Sequence, residues 1–187
     1  MGGEITWKCM KAGSGPNAGK FKFQVKYYRD CNGIPPDANI TLTTNAPGWG
    51  GGILCLPIST IEISPTGLGC PTCANPTGVS STAQEIIYES AFIFISGTPP
   101  ASGWNFWWQS CCRNSNITNL TLNAGMTLRA IMYPFGVSNT NPCYDSSPSF
   151  AEKPQLSTCA GNQTSYSHNA VDDEVDSLVF EDRNLML

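Results

Sequence analysis

Apolar and polar side chains alternate most regularly between residues 21 and 29. The apolar positions of this segment are Phe21, Phe23, Val25 and Tyr27, which alternate with polar neighbours. A period of two over this length predicts a half-buried β-strand. A turn-rich stretch at 12–19 separates it from a shorter predicted strand at 4–9. The two strands should form an antiparallel hairpin, and we expect Cys9 and Cys31 to flank its open end.

The rest of the chain repeats this pattern of short strands and turns. Further strands are predicted at 39–44, 58–63, 85–95, 104–112, 117–122 and 126–133, separated by loops rich in Gly, Pro and Asn. No segment shows a sustained helical period with caps. Such a pattern predicts an all-β fold, a disulfide-stapled antiparallel β-sandwich of immunoglobulin-like type. We assign the sandwich to residues 1–145 and a partial second β module to residues 146–187.

The segment from Trp104 to Asn114 combines three tryptophans with two adjacent cysteines. Because successive side chains of a strand point to opposite faces, residues 104, 106 and 108 share one face and residue 107 lies on the other. The first face is most simply core, and Trp107 is the better candidate for an exposed contact. Cys111 and Cys112 should also point apart, so we expect each to pair elsewhere.

The cysteine content indicates an oxidising compartment. The chain has 187 residues, of which 13% are charged, and it carries nine cysteines but a single histidine, a combination typical of secreted proteins. All nine are disulfide candidates: Cys9, Cys31, Cys55, Cys70, Cys73, Cys111, Cys112, Cys143 and Cys159. Our working pairs are Cys9 with Cys31, Cys143 with Cys159, and Cys111 and Cys112 each with one of Cys55, Cys70 and Cys73. The odd count leaves at least one cysteine free or paired outside the chain.

Charge is distributed unevenly along the chain. Six of the ten basic residues lie between Lys8 and Arg29, whereas six of the fourteen acidic residues lie between Asp172 and Asp182. Solvated faces are one interpretation, and head-to-tail association of basic and acidic ends is the other. The acidic pI of about 4.8 disfavours nucleic-acid binding. No stretch reaches the roughly 20 apolar residues of a membrane helix.

Catalytic chemistry finds little support. Cys70 and Cys73 form a C-x-x-C, but a zinc ribbon needs a second such pair and a thioredoxin site needs a βαβ setting. His168 is alone and lacks a nucleophile context, so we predict a protein that is not an enzyme.

Two groups of residues are candidates for binding. The acidic run supplies carboxylates within five residues, and its members are Asp172, Asp173, Glu174 and Asp176. Calcium is one interpretation of this run and a plain acidic turn is the other, because it lacks the glycine and spacing of an EF-hand. No other cofactor is expected. Trp107 and Trp49 are candidates for stacking on sugars, although core and edge packing is the simpler explanation of such aromatics, because large aromatics dominate β-sandwich cores.

Several motifs resemble one family. Gly2-Gly3-Glu4-Ile5-Thr6-Trp7-Lys8-Cys9, Phe23 to Cys31, and Trp104 through Cys111-Cys112-Arg113-Asn114 are similar to the amino-terminal region of very large Bacteroidetes surface proteins. These are of the gliding-motility adhesin type and are exported by the type IX secretion system. The tail, with Ser147-Pro148-Ser149-Phe150 and Asp176 to Phe180, resembles the start of a PKD- or cadherin-like module. Where that family carries Asp-Pro-Asp-Gly-Asp-Ser, this chain has Val171-Asp172-Asp173-Glu174-Val175-Asp176-Ser177.

The resemblance implies a location and a kind of function. We expect an extracellular, cell-surface protein, exported after signal-peptide removal, that acts as a non-enzymatic structural or adhesive module, for example in a surface filament. Its expected partners are other modules of the same or neighbouring chains, or a surface polysaccharide. Two alternatives are a carbohydrate-binding module that uses its exposed tryptophans, and a self-assembling subunit completed by strand exchange through its C-terminal tail.

Overall fold

The first hairpin forms where the alternation predicts it. In the computed structural model, β1 spans Gly2–Cys9 and β2 spans Phe21–Asp30. The two strands are antiparallel, and their connection contains a 3-10 turn, Gly15–Asn17. The structure describes residues 2–11, 13–31, 33–64, 73–74, 82–111, 125–134, 143, 145–154, 167 and 169–180.

Seven further strands follow in the described part of the chain. Their bounds are β3 Ile40–Thr44, β4 Ile53–Glu62, β5 Ala83–Ser90, β6 Trp104–Ser110, β7 Met126–Met132, β8 Ser149–Phe150 and β9 Ala170–Val171. All strand pairs are antiparallel. The prediction of an antiparallel all-β fold is therefore confirmed.

The seven long strands form one sheet that is nearly closed. Its order is β1-β2-β5-β4-β3-β6-β7, and β8 pairs with β9 in a separate two-stranded sheet. The strand β3 turns the corner, because residues 40–42 pair with β4 whereas Thr43 and Thr44 pair with β6. The end strands β1 and β7 lie side by side. A Cβ atom added to Gly3 would stand only 2.7 Å from the Leu128 side chain, so glycine permits this close approach.

Aromatic rings fill the space inside the curved sheet. Phe23 and Phe106 have ring centroids 4.5 Å apart, and Trp7 lies 6.2 Å from Phe106. Tyr27 meets Trp108 edge to face at 5.2 Å. Large aromatics contribute most of the buried area in a core of this kind. The inward faces predicted for residues 21–29 and 104–108 are confirmed by the burial of alternate residues in β2 and β6.

Strand boundaries differ from the sequence predictions mainly in β4 and β5. The strand predicted at 58–63 begins five residues earlier, at Ile53, because the pairing accommodates Pro57 through a register shift between Pro57 and Ser59. Proline within a sheet is confined to edges and irregularities of this kind. β5 ends at Ser90, and beyond it only an isolated bridge joins Ile93 to Phe21. The strand predicted at 117–122 lies outside the described residues.

Candidate functional site

The segment that follows the seven-stranded sheet is fastened to the first strand. Cys143 forms a disulfide with Cys9 at the end of β1, with 5.1 Å between the two Cα atoms. Ser147 N donates to Trp7 O at 3.0 Å, and Trp7 N donates to Ser147 Oγ at 2.8 Å. Cys9 N donates to Ser146 Oγ at 3.2 Å. We call these contacts the clamp. They occupy backbone N–H and C=O groups at the edge of β1 with which another chain would otherwise be able to pair.

Ion pairs join the acidic run, residues 172–176, to β1 and to the turn that follows β1. Lys8 Nζ lies 3.2 Å from Asp173 Oδ2, and Lys11 Nζ lies 2.5 Å from Glu174 Oε1. Ser146 adds two hydrogen bonds to the Glu174 carboxylate. The basic and acidic regions therefore meet within one chain. Exchange of the C-terminal segment between chains would have to break the clamp and these pairs first.

The predicted bridge between Cys9 and Cys31 is wrong. Cys9 lies opposite Phe21 at the turn end of the first hairpin, whereas Cys31 follows Asp30 at the other end. Ten residues at about 3.3 Å each separate these ends. Disulfides require Cα atoms within about 7 Å, so the hairpin itself excludes this pair. The error lies in placing both cysteines at the open end.

The other described bridge also departs from our working pairs. Cys31 is bonded to Cys73, with 5.2 Å between their Cα atoms, so Cys73 is not a partner of Cys111 or Cys112. The predicted pair of Cys143 with Cys159 is wrong because the Cys143 sulfur is bonded to Cys9. Cys111 is also disulfide-bonded. Three disulfide candidates lie outside the described residues: Cys70, Cys112 and Cys159.

Cys55, a candidate disulfide partner, is instead a free thiol in the core. It lies within β4 opposite Ile40 and is fully buried. Burial, together with the charge of Glu89, raises the pKa of the Cys55 thiol to about 12. Nucleophilic attack and disulfide exchange require the thiolate and access to it. Cys55 therefore behaves as a small apolar core residue and not as a link to another chain.

The carboxylates of the acidic run have two different roles. Asp172 and Asp176 come together with Asp145, and one carboxylate oxygen from each lies within 4.8 Å of the others. Asp173 and Glu174 instead form the ion pairs described above. Burial first, and then the neighbouring carboxylates, raise the pKa of Asp145 to about 6. Its Oδ1 atom is buried and has no hydrogen-bond partner.

Replacing Asp145 with asparagine is expected to raise the free energy of unfolding at pH 7.5 by about 1 kcal/mol. This value is smaller than the pKa shift alone implies, because Asp145 is only partly buried and solvent screens its charge. The folded-state pKa of Asp145 lies above its ordinary value of 3.8, so folding favours the protonated carboxyl. Stability is then highest below about pH 4 and is lost as the pH rises through about 6. Chemical denaturation of both proteins at pH 4 and 7.5 measures the effect, and an equal difference at both pH values would contradict it.

The calcium interpretation of the acidic run stays a prediction. Three carboxylate oxygens suit a hard cation, but calcium takes six to eight oxygen ligands, so this cluster supplies at most half of a full set. Sequence reasoning missed Asp145, which lies 27 positions before Asp172 and enters the cluster only through the fold. Thermal denaturation of the wild type and Asp145→Asn with and without calcium tests the interpretation, because only the wild type should respond.

Trp107 lies on the outward face of the sheet and is partly exposed. Its cross-strand neighbours are Thr43 on β3 and Arg129 on β7, both exposed. Directly opposite residues in an antiparallel pair have Cβ atoms about 4.5–5.5 Å apart. Arg129 is held in place because its Nε donates to Asn105 Oδ1 at 2.9 Å, and its Nη2 also contacts that oxygen. We call Asn105, Trp107, Thr43 and Arg129 the tryptophan platform.

Trp49 occupies a different setting. It lies in the connection between β3 and β4, is partly buried, and packs against the core. Its indole Nε1 donates to Phe94 O at 3.0 Å. The polar atom of Trp49 is thus used within the chain, whereas Trp107 has its ring on an outward face among polar side chains. Of the two sugar-contact candidates, Trp107 is the one whose setting matches the hypothesis.

A polar cleft of about 290 Å³ lies between the C-terminal segment and the outward face of β1 and β2. Its charged lining residues are Lys8, Lys22, Lys26, Glu89 and Asp173. Lys22 pairs with Glu89, and Lys26 lies 2.7 Å from Glu4, so the lysines are already neutralised by carboxylates of the chain. His168 lies outside the described residues.

Fold and site together define an antiparallel, disulfide-bonded all-β protein whose C-terminal segment is clamped to its first strand. Comparisons with protein-family models, curated proteins and solved structures return no match. Within the described residues, no helix has the length and apolar character needed to cross a membrane.

Proposed function

We propose that this protein is a non-enzymatic structural and adhesive module of an extracellular surface protein, and that it transmits tension without unfolding strands β2 to β7. The observation that carries the proposal is the Cys9–Cys143 disulfide, which joins positions 134 residues apart. Disulfides are typical of proteins exposed to oxidising surroundings. The resemblance to Bacteroidetes surface proteins supports the same location.

Tension applied through the two ends of this chain would follow a short covalent path. It would enter β1, cross from Cys9 to Cys143 through the disulfide, and leave by the C-terminal segment. Strands β2 to β7 lie wholly between the bonded positions. Because a covalent bond bypasses them, the hydrogen bonds among β2 to β7 need not resist the force, which β1 alone carries into the disulfide. A module of this kind keeps strands β2 to β7 and the surfaces they carry intact under load.

Adhesive contact is supported by an apolar row on the surface of β4. Leu54, Leu56 and Ile58 are 53%, 53% and 57% exposed. Large aliphatic side chains that cluster at the surface are common in protein contact sites. Neighbouring modules of the same or another chain are the partners that such a row favours. The row keeps its shape under tension because β4 lies inside the bypassed region.

Single-molecule pulling of the chain by its two ends tests this function. With the disulfides intact, the sheet should contribute no extension between residues 9 and 143. After reduction of the disulfides, unfolding should release roughly 440–480 Å of additional chain, the extended length of 134 residues. Equal extension before and after reduction would overturn the proposal.

The double variant Cys9→Ala/Cys143→Ala is the matched control for reduction. It removes the clamp disulfide but leaves the Cys31–Cys73 bridge, which retains a loop of 42 residues. Its released length without reductant should therefore be shorter than that of the fully reduced wild type by at least about 140 Å. This difference separates the effect of the clamp from the effect of reducing every bridge.

Carbohydrate binding is a second candidate function, favoured by the outward position of Trp107. Binding sites combine an apolar contact surface with a few well-placed polar groups that fix orientation. The tryptophan platform has this composition. The two functions are compatible, since an adhesive module can bind a surface polysaccharide and still transmit tension.

A further inference from the structure

The tryptophan platform joins an aromatic ring to a fixed positive charge. Trp107 has Arg129 on one side and Thr43 on the other, each on an adjacent strand. Asn105, two residues before Trp107 on the same face of β6, accepts both hydrogen bonds from the guanidinium. The ring, the hydroxyl and the guanidinium are thus placed by three paired strands of the sheet and not by a loop.

Arg129 retains unused binding capacity. A guanidinium has five N–H donors, and the bonds to Asn105 use the Nε–H and one Nη2–H. Among the ion pairs of the described residues, none involves Arg129; the basic partners are Lys8, Lys11, Lys22 and Lys26. Three N–H groups and one uncompensated positive charge therefore remain on an exposed side chain beside an aromatic face.

This arrangement selects a chemical class of ligand. A hexose ring can stack its apolar face on an indole, and a carboxylate at the ring edge is the group that a guanidinium binds most strongly, through two parallel hydrogen bonds. We propose that the tryptophan platform binds an acidic saccharide, a polymer of uronic acid units. The inference rests on the second proposed function, carbohydrate binding, and names its ligand class.

The net charge of the chain means that an anionic polymer could bind only at a local positive site. A charge of −4 repels an anionic polymer in general, so the proposed binding would not result from non-specific attraction to the whole surface. The attraction must come from a local site. Lys8, Lys11, Lys22 and Lys26 are each paired with a carboxylate, and Arg29 is buried. Arg129, in contrast, is exposed beside the Trp107 ring.

Affinity electrophoresis with polygalacturonate, its fully methyl-esterified form and neutral dextran tests the proposal. The wild type should bind polygalacturonate, and the methyl ester should bind about tenfold more weakly because it lacks the carboxylate. Trp107→Ala should lose binding to both uronate polymers. Arg129→Gln should bind the acid and the ester with equal, weak affinity. Ile61→Ala, which removes an exposed apolar side chain from β4, should bind as the wild type does.

The outcomes separate the ligand class from the function. Binding of dextran and the methyl ester as tight as that of polygalacturonate, abolished in Trp107→Ala, would overturn the acidic assignment and keep carbohydrate binding. No binding of any polymer would overturn both. Polygalacturonate binding that survives Trp107→Ala would show that another surface binds the polymer and would overturn the platform. Thermal denaturation of each variant confirms that the comparison is made on folded protein.

Discussion

Removing the clamp disulfide by the double substitution Cys9→Ala/Cys143→Ala is expected to lower the free energy of unfolding by about 5 kcal/mol. The bridge closes a loop of 134 residues, and the conformational entropy that a cross-link removes from the unfolded chain increases with the logarithm of loop length. In a protein of this size each kcal/mol changes the melting temperature by about 2–4 °C. The melting temperature should therefore fall by about 10–20 °C.

Alanine is the appropriate replacement, because Cys9 and Cys143 are buried and a serine hydroxyl would need a new hydrogen-bond partner. Urea denaturation without reductant measures the loss, and the dependence on urea should steepen as the unfolded chain expands. Cys31→Ala/Cys73→Ala provides the comparison, since its shorter loop of 42 residues predicts a smaller loss of about 4 kcal/mol. A double variant at 9 and 143 that melts within about 3 °C of the wild type would contradict the expectation.

Local alternation was sufficient to predict most of the sheet. The inward positions of residues 21–27 and 104–108 follow from the side-chain period of a strand, which depends only on neighbouring residues. Strand ends at Cys9 and Phe21 also agree with the turn-rich sequence between them. The early start of β4 at Ile53 was not predicted, because Pro57 interrupts the pattern and only the partner strands show how the sheet accommodates it.

The disulfide pairs could not be predicted because they depend on strand order. Cys9 meets Cys143 only because the chain returns to the open edge of β1 after building the whole sheet. The cluster of Asp145, Asp172 and Asp176 likewise forms only when distant segments of the chain fold together. Asp172 and Asp176 are close in sequence, but the pKa of Asp145 rises because the clamp buries it beside them. A pattern of residues predicts which side chains share a face, whereas contacts between distant segments require the fold.

Replacing Phe106 with alanine is expected to cost about 3–5 kcal/mol of stability, whereas Trp107→Ala should cost about 1 kcal/mol. Phe106 is fully buried and packs against Phe23 and Trp7, so truncation removes apolar contacts and leaves a cavity. Trp107 is the next residue on the same strand, but its ring faces outward and solvent can fill the space it leaves. The larger side chain should thus have the smaller effect.

Chemical denaturation of the two single variants under identical, non-reducing conditions measures this difference. The pair is matched, because both substitutions remove an aromatic ring from adjacent positions of β6 and leave every disulfide in place. Equal losses would mean that the Trp107 ring is enclosed by other parts of the molecule, and the tryptophan platform would then not be open to a ligand. A small loss for Trp107→Ala together with a large one for Phe106→Ala places the two rings on opposite faces of the sheet, since only a buried ring leaves a cavity when it is removed.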